Sequence, residues 1–540
     1  MRSVLLGLRL GRWGSVGFSL AGLFLTLVQS IGYYQIAGHT AAERANFGAA
    51  IAALQAQFVA LFPPALAPET VAGYVQFRAY NPLLILFAVW ALASSSGFAR
   101  GDEERGVGEA SLAAGVSRVW LIASRTIAFA IAVTVAAVAA AVGFALGVAS
   151  GHESVEPQGL IEATALLAAV GLACYSLSLL IAQLVGARLA TATAGAFLLA
   201  LFLINSLSRV FDSLLTLRWL SPFRYYDLSQ PLPRGGYFSF GGFVVLLAMA
   251  VAASVAASLA IQRRDVGGSV LRLPALERRP TVEPATAAWW RIPVVRDLYE
   301  LRLGILAWAV GMAVLGTVFV SLTRTIVQAL QSIKALLPYL SIFAHEDLYP
   351  AVLGYTWFNV AQLLFAAFAI TYVARWSAQD TDGRLEMFLS APVSRAAIVL
   401  ERMAVLAAGA VIVSAVGGVM LFFVSQQQGI NLNVGRLVAA SLMLIPFALV
   451  FAGAGSLLAS WNPRAAAGLL GAFAFASYLD TELGPIFKLP LWLQDLSAFK
   501  LFGTPLLSGV DTRNLTLMLL LALAGLGSSI LLLQRRDVGA

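Results

Sequence analysis

Two short runs of charge carry what chemistry this sequence offers. The first is Arg100-Gly101-Asp102-Glu103-Glu104-Arg105-Gly106-Val107-Gly108-Glu109, leading to Gly115-Val116-Ser117-Arg118. The second is Asp380-Thr381-Asp382-Gly383-Arg384-Leu385-Glu386, leading to Pro392-Val393-Ser394-Arg395. Aligning the two Val-Ser-Arg triplets sets Glu103 on Asp380, Gly106 on Gly383, Glu109 on Glu386, Leu112 on Leu389 and Arg125 on Arg402. Acids ahead of a short helix and arginines behind it complement the helix dipole. The spacing therefore predicts a surface helix over 103–113, with Glu103, Gly106 and Glu109 near one face. Solvated loops drift freely, yet these two copies keep more identity than most of the apolar stretches around them. A shared constraint accounts for that, either internal packing or the docking of two equivalent partners.

Bond-making chemistry finds no support. A phosphate-binding loop needs Gly-x-x-x-x-Gly-Lys-Ser/Thr, and none of the three lysines, Lys334, Lys488 and Lys500, follows one. Cys174 stands alone, so neither an intrachain disulfide nor a cysteine metal site is possible. His39, His152 and His345 are isolated near the ends of apolar runs. No nucleophile elbow or catalytic carboxylate pair points to a hydrolase or an oxidoreductase. An ion-coupled carrier should bury acids inside its spans, but Glu162, Asp480 and Glu482 sit at span edges or in connections. Within the spans, Asn205, Asn359 and Gln362, with Trp90, Trp357 and Phe358, are candidates to line a mostly apolar substrate path. The same amides suit hydrogen bonds between helices, and the same aromatics suit anchoring at the interface.

The elements that must position these residues are membrane helices. Of 540 residues 60% are hydrophobic and only 11% charged, against about 25% charged in an average soluble domain. The net charge of +8 comes from arginines at the ends of apolar runs, as expected of cytoplasmic flanks. No basic stretch is interleaved with stacking aromatics, so nucleic acid is not an expected partner. A span needs about 20 apolar residues. That length gives candidates near 13–36, 80–99, 119–149, 160–186, 190–208 and 238–261, then 303–323, 352–374, 397–424, 436–460, 465–479 and 514–533. Arg2, Arg9 and Arg12 predict a short basic surface helix ahead of a retained first span.

The chain repeats itself. Leu8-Arg9-Leu10-Gly11 returns as Leu301-Arg302-Leu303-Gly304, and Gln262-Arg263-Arg264-Asp265-Val266-Gly267 returns as Gln534-Arg535-Arg536-Asp537-Val538-Gly539. The fold expected is an all-α integral membrane protein of about twelve transmembrane helices in two parallel six-helix repeats. The halves are 1–266 and 293–540, joined by a linker over 267–292. Eight arginines between Arg263 and Arg302 make that linker cytoplasmic. Both charged signatures then lie on its side, and an even number of spans per half relates the repeats by an axis along the membrane normal. Both termini are expected in the cytoplasm. Arg209, Arg218, Arg224 and Arg234 fall on the outer side and resist the rule.

The order of acids, glycine, Glu, an apolar run and Pro/Gly-Val-Ser-Arg resembles the coupling-helix region of type-2 ABC exporter permeases. Leu220-Ser221-Pro222-Phe223 looks like that family's Ser-Pro-Phe element, with Leu496-Ser497-Ala498-Phe499 a degenerate second copy. The fused two-half form is similar to polyketide antibiotic (tetronasin-like) exporter permeases. The resemblance implies a permease of a prokaryotic plasma membrane that moves a hydrophobic or amphiphilic compound outward. It implies two copies of a separate ABC ATPase, which hold ATP and Mg, while this chain binds no cofactor or metal and is no enzyme itself. Docking would fall on Glu103, Glu104, Gly106, Glu109 and Arg118, and on Asp380, Asp382, Gly383, Glu386 and Arg395. Gly115 against Pro392, and Glu104 against Thr381, make the two sites unequal. The alternatives are an ion-coupled transporter and a non-transporting membrane scaffold.

Overall fold

A computed structural model describes residues 2–38, 40–55, 63–209, 211–265, 268, 270–271, 292–332, 348–484, 489–495 and 497–536. Most of the linker, the 333–347 connection with Lys334 and His345, and His39, Lys488, Leu496 and the closing Asp537-Val538-Gly539 lie outside them. So do the side chains of Glu104 and Arg188. The chain divides into two compact units, Met1–Thr281 and Val282–Ala540.

The protein is an all-α polytopic membrane protein. Eleven of its described helices are long and apolar enough to cross a membrane. Unit 1 contains α1 (Arg2–Ile36), α2 (Ala41–Gln55), α3 (Val71–Gly101), α4 (Val107–Ala113), α5 (Arg118–Ser150), α6 (Pro157–Leu184), α7 (Ala187–Leu207) and α8 (Phe240–Gln262). Unit 2 contains α9 (Pro293–Ser332), α10 (Leu348–Thr381), α11 (Arg384–Leu389), α12 (Arg395–Gln427), α13 (Val434–Trp461), α14 (Pro463–Leu483) and α15 (Thr512–Arg535). The expected span at 465–479 does form a helix, α14. Its small and polar residues, among them Ser477, Asp480, Thr481 and Glu482, leave it outside the eleven.

The N-terminus departs from expectation. Arg2–Ile36 is one continuous helix of 35 residues, with no break between a surface helix and a span. At 1.5 Å per residue it exceeds the roughly 30 Å hydrocarbon layer by several turns. The basic turns therefore extend the span instead of lying apart from it.

Backbone contact decides how the spans pack. Along α1 and α5 the Thr26 hydroxyl bonds the Ala140 carbonyl at 2.7 Å. A side chain at Gly143 would collide with the Leu23 carbonyl, and one at Gly147 with Ser30. In unit 2 the tightest seam joins a different pair, α13 and α15. There Gly453 and Gly525 meet backbone to backbone, and Ser529 shares hydrogen bonds with Ser456 at 2.7 Å and Ser460 at 2.9 Å. With lipid as solvent there is little hydrophobic gain in pairing spans, so small residues and hydroxyls supply the contact.

Candidate functional site

The charged signature folds as a hub at one end of each unit. In unit 1, α3 closes with a wide π-turn at Gly97–Gly101 and continues as one short turn, Asp102–Glu104. Gly106 then adopts φ +72°, a left-handed conformation that only glycine takes up freely. The chain reverses there and starts α4. The predicted single helix over 103–113 is thus two pieces, and Glu103 and Glu109 share no face. Gly383, at φ +75°, separates α10 from α11 in the same way. No atom lies within 4 Å of a Cβ built on either glycine. Gly106→Ala and Gly383→Ala are therefore expected to cost only backbone strain, roughly 1–2 kcal/mol each, read as a small fall in unfolding temperature with assembly retained. A variant as stable as the parent would show that the left-handed turn is not required.

Both Val-Ser-Arg triplets have a mechanical meaning. Ser117 caps α5 by accepting from the Trp120 amide at 3.2 Å, and Ser394 caps α12 by accepting from Ala397 at 3.1 Å. The arginine that follows reaches sideways to the end of the last helix of its unit. Arg118 Nη1 donates to the carbonyls of Ile261 (3.0 Å) and Arg264 (2.8 Å). Arg395 Nη1 donates to those of Leu533 (2.6 Å), Gln534 (3.1 Å) and Arg536 (2.7 Å). Helix C-termini leave carbonyls unsatisfied and partly negative, so a guanidinium is the natural clamp.

The repeated Gln-Arg-Arg supplies a second tie. Arg264 is 4% exposed and meets both oxygens of Glu103, one of them at 3.2 Å. It also donates to Gln183 Oε1 at 2.6 Å and 2.9 Å. Arg100 joins the same carboxylate at 3.2 Å and caps the end of α6 through the Ala182 carbonyl at 3.0 Å and that of Val185. The neighbouring acid, Asp102, holds Arg125 and Arg105, each at 2.8 Å. Burial pushes the Asp102 carboxyl above its usual range, and Arg125 and then Arg105 pull it back.

Among the described residues, unit 2 builds the hub with one acid. Asp380 holds Arg402 at 2.8 Å and Arg536 at 3.9 Å. These arginines occupy the positions of Arg125 and Arg264. Gln379 stands where unit 1 has Asp102, and it accepts from Arg402 at 3.3 Å.

The proposed docking residues therefore divide. Glu103, Arg118, Asp380 and Arg395 are engaged inside the hub, while Gly106 and Gly383 shape its turns. Glu109, Asp382 and Glu386 are exposed. The exposed faces differ too. α11 shows Met387, 73% exposed, and Phe388, 45% exposed, at the positions of Ala110 and Ser111 on α4.

The candidate path residues belong to both units: Trp90 and Asn205 to unit 1, and Trp357, Phe358, Asn359 and Gln362 to unit 2. Trp90 stacks on Phe18 at 4.8 Å and lines a cavity of about 200 Å³ with Ser94, Phe129 and Tyr175, bounded by Asp102 and Arg125. Trp357 and Phe358 are core side chains. Asn359 donates to Glu482 at 2.6 Å, and Asn205 to Asp227 at 2.6 Å. Gln362 Oε1 is buried without a partner among the described residues. Sequence reading missed Arg100, Asp102, Arg264, Arg536 and the acids that meet the two asparagines. The identical Gln-Arg-Arg ends and the Arg125–Arg402 alignment were the signals available for the hub.

Residues 298–532 match a family model described as the C-terminal domain of the multidrug efflux system permease Rv1217c. This half of the chain is similar to an efflux permease domain. The match runs from α9 into α15 and includes the whole second signature, Asp380 to Arg402. It supports a permease subunit of an efflux system. No curated protein matches the chain.

Proposed function

We propose that this chain is the membrane-spanning subunit of an ATP-driven exporter. ATP and Mg would be held by two copies of a separate ATPase, one docked on α4 and one on α11. The signatures would then face the cytoplasm of a prokaryotic cell, together with both termini. Carrying this reading is the hub, in which the segments on either side of a short helix with an exposed acid are bolted, through Arg118 and Arg264 or through Arg395 and Arg536, to the last described helix of the unit. A push on α4 would pass to its flanks, because Glu103 on one side and Arg118 on the other are tied to the end of α8. Closing of the ATPases would tilt the membrane helices and open the path outward for a hydrophobic or amphiphilic compound, with polyketide antibiotics as the class the sequence resemblance suggests.

The test is copurification with an ATPase encoded beside this chain. Glu109→Lys with Glu386→Lys is expected to abolish the complex and leave the unfolding temperature of the membrane subunit unchanged. Surface substitutions of this kind cost within about 0.5 kcal/mol. Because α11 adds Met387 and Phe388 to its exposed face, Glu386→Lys alone is expected to weaken the complex more than Glu109→Lys alone. Survival of the complex in the double variant would refute the docking assignment.

A further inference from the structure

The turn that follows α7 carries a second cluster of cations. Arg100 of the hub holds the carbonyl of Val185, just before α7 begins. The 21 residues of α7 then span about 30 Å. The segment 211–220 therefore lies at the opposite end of the unit, at the depth where hydrocarbon gives way to headgroups. It presents Phe211, Leu217, Trp219 and Leu220 at 45–63% exposure. Arg218 and Arg224 lie against the Trp219 ring, 5.7 and 4.9 Å from its centroid. Among the described residues neither guanidinium forms a hydrogen bond or an ion pair, and the Nε of each is buried without a partner. Asp227 also acts on Arg224, but its carboxylate is bonded to Arg209 and Asn205. Two like charges half out of water without a counter-ion are costly.

The repeat shows what is missing. Aligning Leu220-Ser221 with Leu496-Ser497 places Arg224 on Lys500 and Trp219 on Asp495. In unit 2 the lysine is neutralised by that aspartate, Nζ to Oδ1 at 2.8 Å. Unit 1 has a tryptophan where the carboxylate stands.

We propose that Arg218 and Arg224, propped on Trp219, bind the phosphate of an anionic lipid headgroup in the leaflet opposite the hub. The ring supports both cations by cation–π attraction and leaves their terminal N–H groups to meet phosphate oxygens. The exposed Phe211, Leu217 and Leu220 enter the acyl region beneath it, as in interfacial segments. A free phosphate offers the same oxygens but nothing for these side chains.

Native mass spectrometry of the full chain in detergent tests this, with phosphatidylglycerol, phosphatidylcholine or inorganic phosphate added. The parent is expected to retain phosphatidylglycerol at least about fivefold more than phosphatidylcholine. Arg218→Gln with Arg224→Gln should remove most of that preference. Trp219→Asp, which installs the carboxylate of unit 2, should do the same, and it decides the matter should the double variant not fold. Arg234→Gln, an exposed cation on the same side, should retain the preference. Equal retention by the parent and both site variants overturns the proposal, as does equal loss in Arg234→Gln. Occupancy by inorganic phosphate, with no preference among lipids, overturns the headgroup assignment. None of these outcomes depends on an ATPase partner.

Discussion

Replacing Asp380 with asparagine is expected to destabilise unit 2 by about 3–5 kcal/mol, the cost of breaking a buried ion pair. Its side chain is 2% exposed, and it serves two arginines at once. Without it, among the described residues, Arg402 keeps Gln379 and Arg536 keeps the Ala459 carbonyl at 3.4 Å. In unit 1 the same task is divided, so Asp102→Asn is expected to cost less. Glu103 still holds Arg264 and Arg100 when Asp102 is neutralised. Thermal unfolding of the purified chain, followed by the loss of monodisperse protein, should rank Asp380→Asn well below Asp102→Asn. Adding Gln379→Asp to Asp380→Asn places an acid where unit 1 has one and should recover part of the loss. Equal unfolding temperatures for the two single variants would mean that the one-acid hub is no more vulnerable than the two-acid hub.

Arg264→Leu comes next in size, at about 3 kcal/mol. The side chain is 1% exposed and its removal strips four donor contacts from Glu103 and Gln183. Arg100 remains beside Glu103 at 3.2 Å and limits the damage. A cycle with Glu103→Ala should show coupling of roughly 1–3 kcal/mol, because residues in one ion-pair network do not add. On the proposed function, transport should fall together with stability, since the same contact ties the turn ahead of α4 to the residues that follow α8. If the two variants add independently, the contact contributes nothing of its own and the hub is held by Arg118, Arg100 and the Asp102 pairs.

The helical class and the positions of nearly all spans were legible because apolar run length is a direct record of bilayer thickness. The two signatures were legible because both copies keep acids, glycine and Val-Ser-Arg at the same spacing. Their pairing was not. Periodicity places a residue on a face, but it does not say that Arg264, some 160 residues on, closes against Glu103. Nor does it say that Gly106 takes a positive φ and splits the predicted helix. The basic turns at Arg2–Arg12 read as a separate surface helix because charge marks where hydrocarbon ends but not where a helix breaks. The acids that meet the two asparagines, Asp227 and Glu482, were not legible as their partners because they lie outside the apolar runs.

The arginine clamps grip main-chain carbonyls. Arg118 touches no side chain of α8 through these bonds, and Arg395 none of α15. A grip on backbone is indifferent to the letters it holds. Mutations can accumulate along the closing helix of either half without loosening the joint, provided the helix still ends at the same height. Each half can therefore drift in its membrane-spanning sequence while the joint between its closing helix and the start of α5 or α12 is kept.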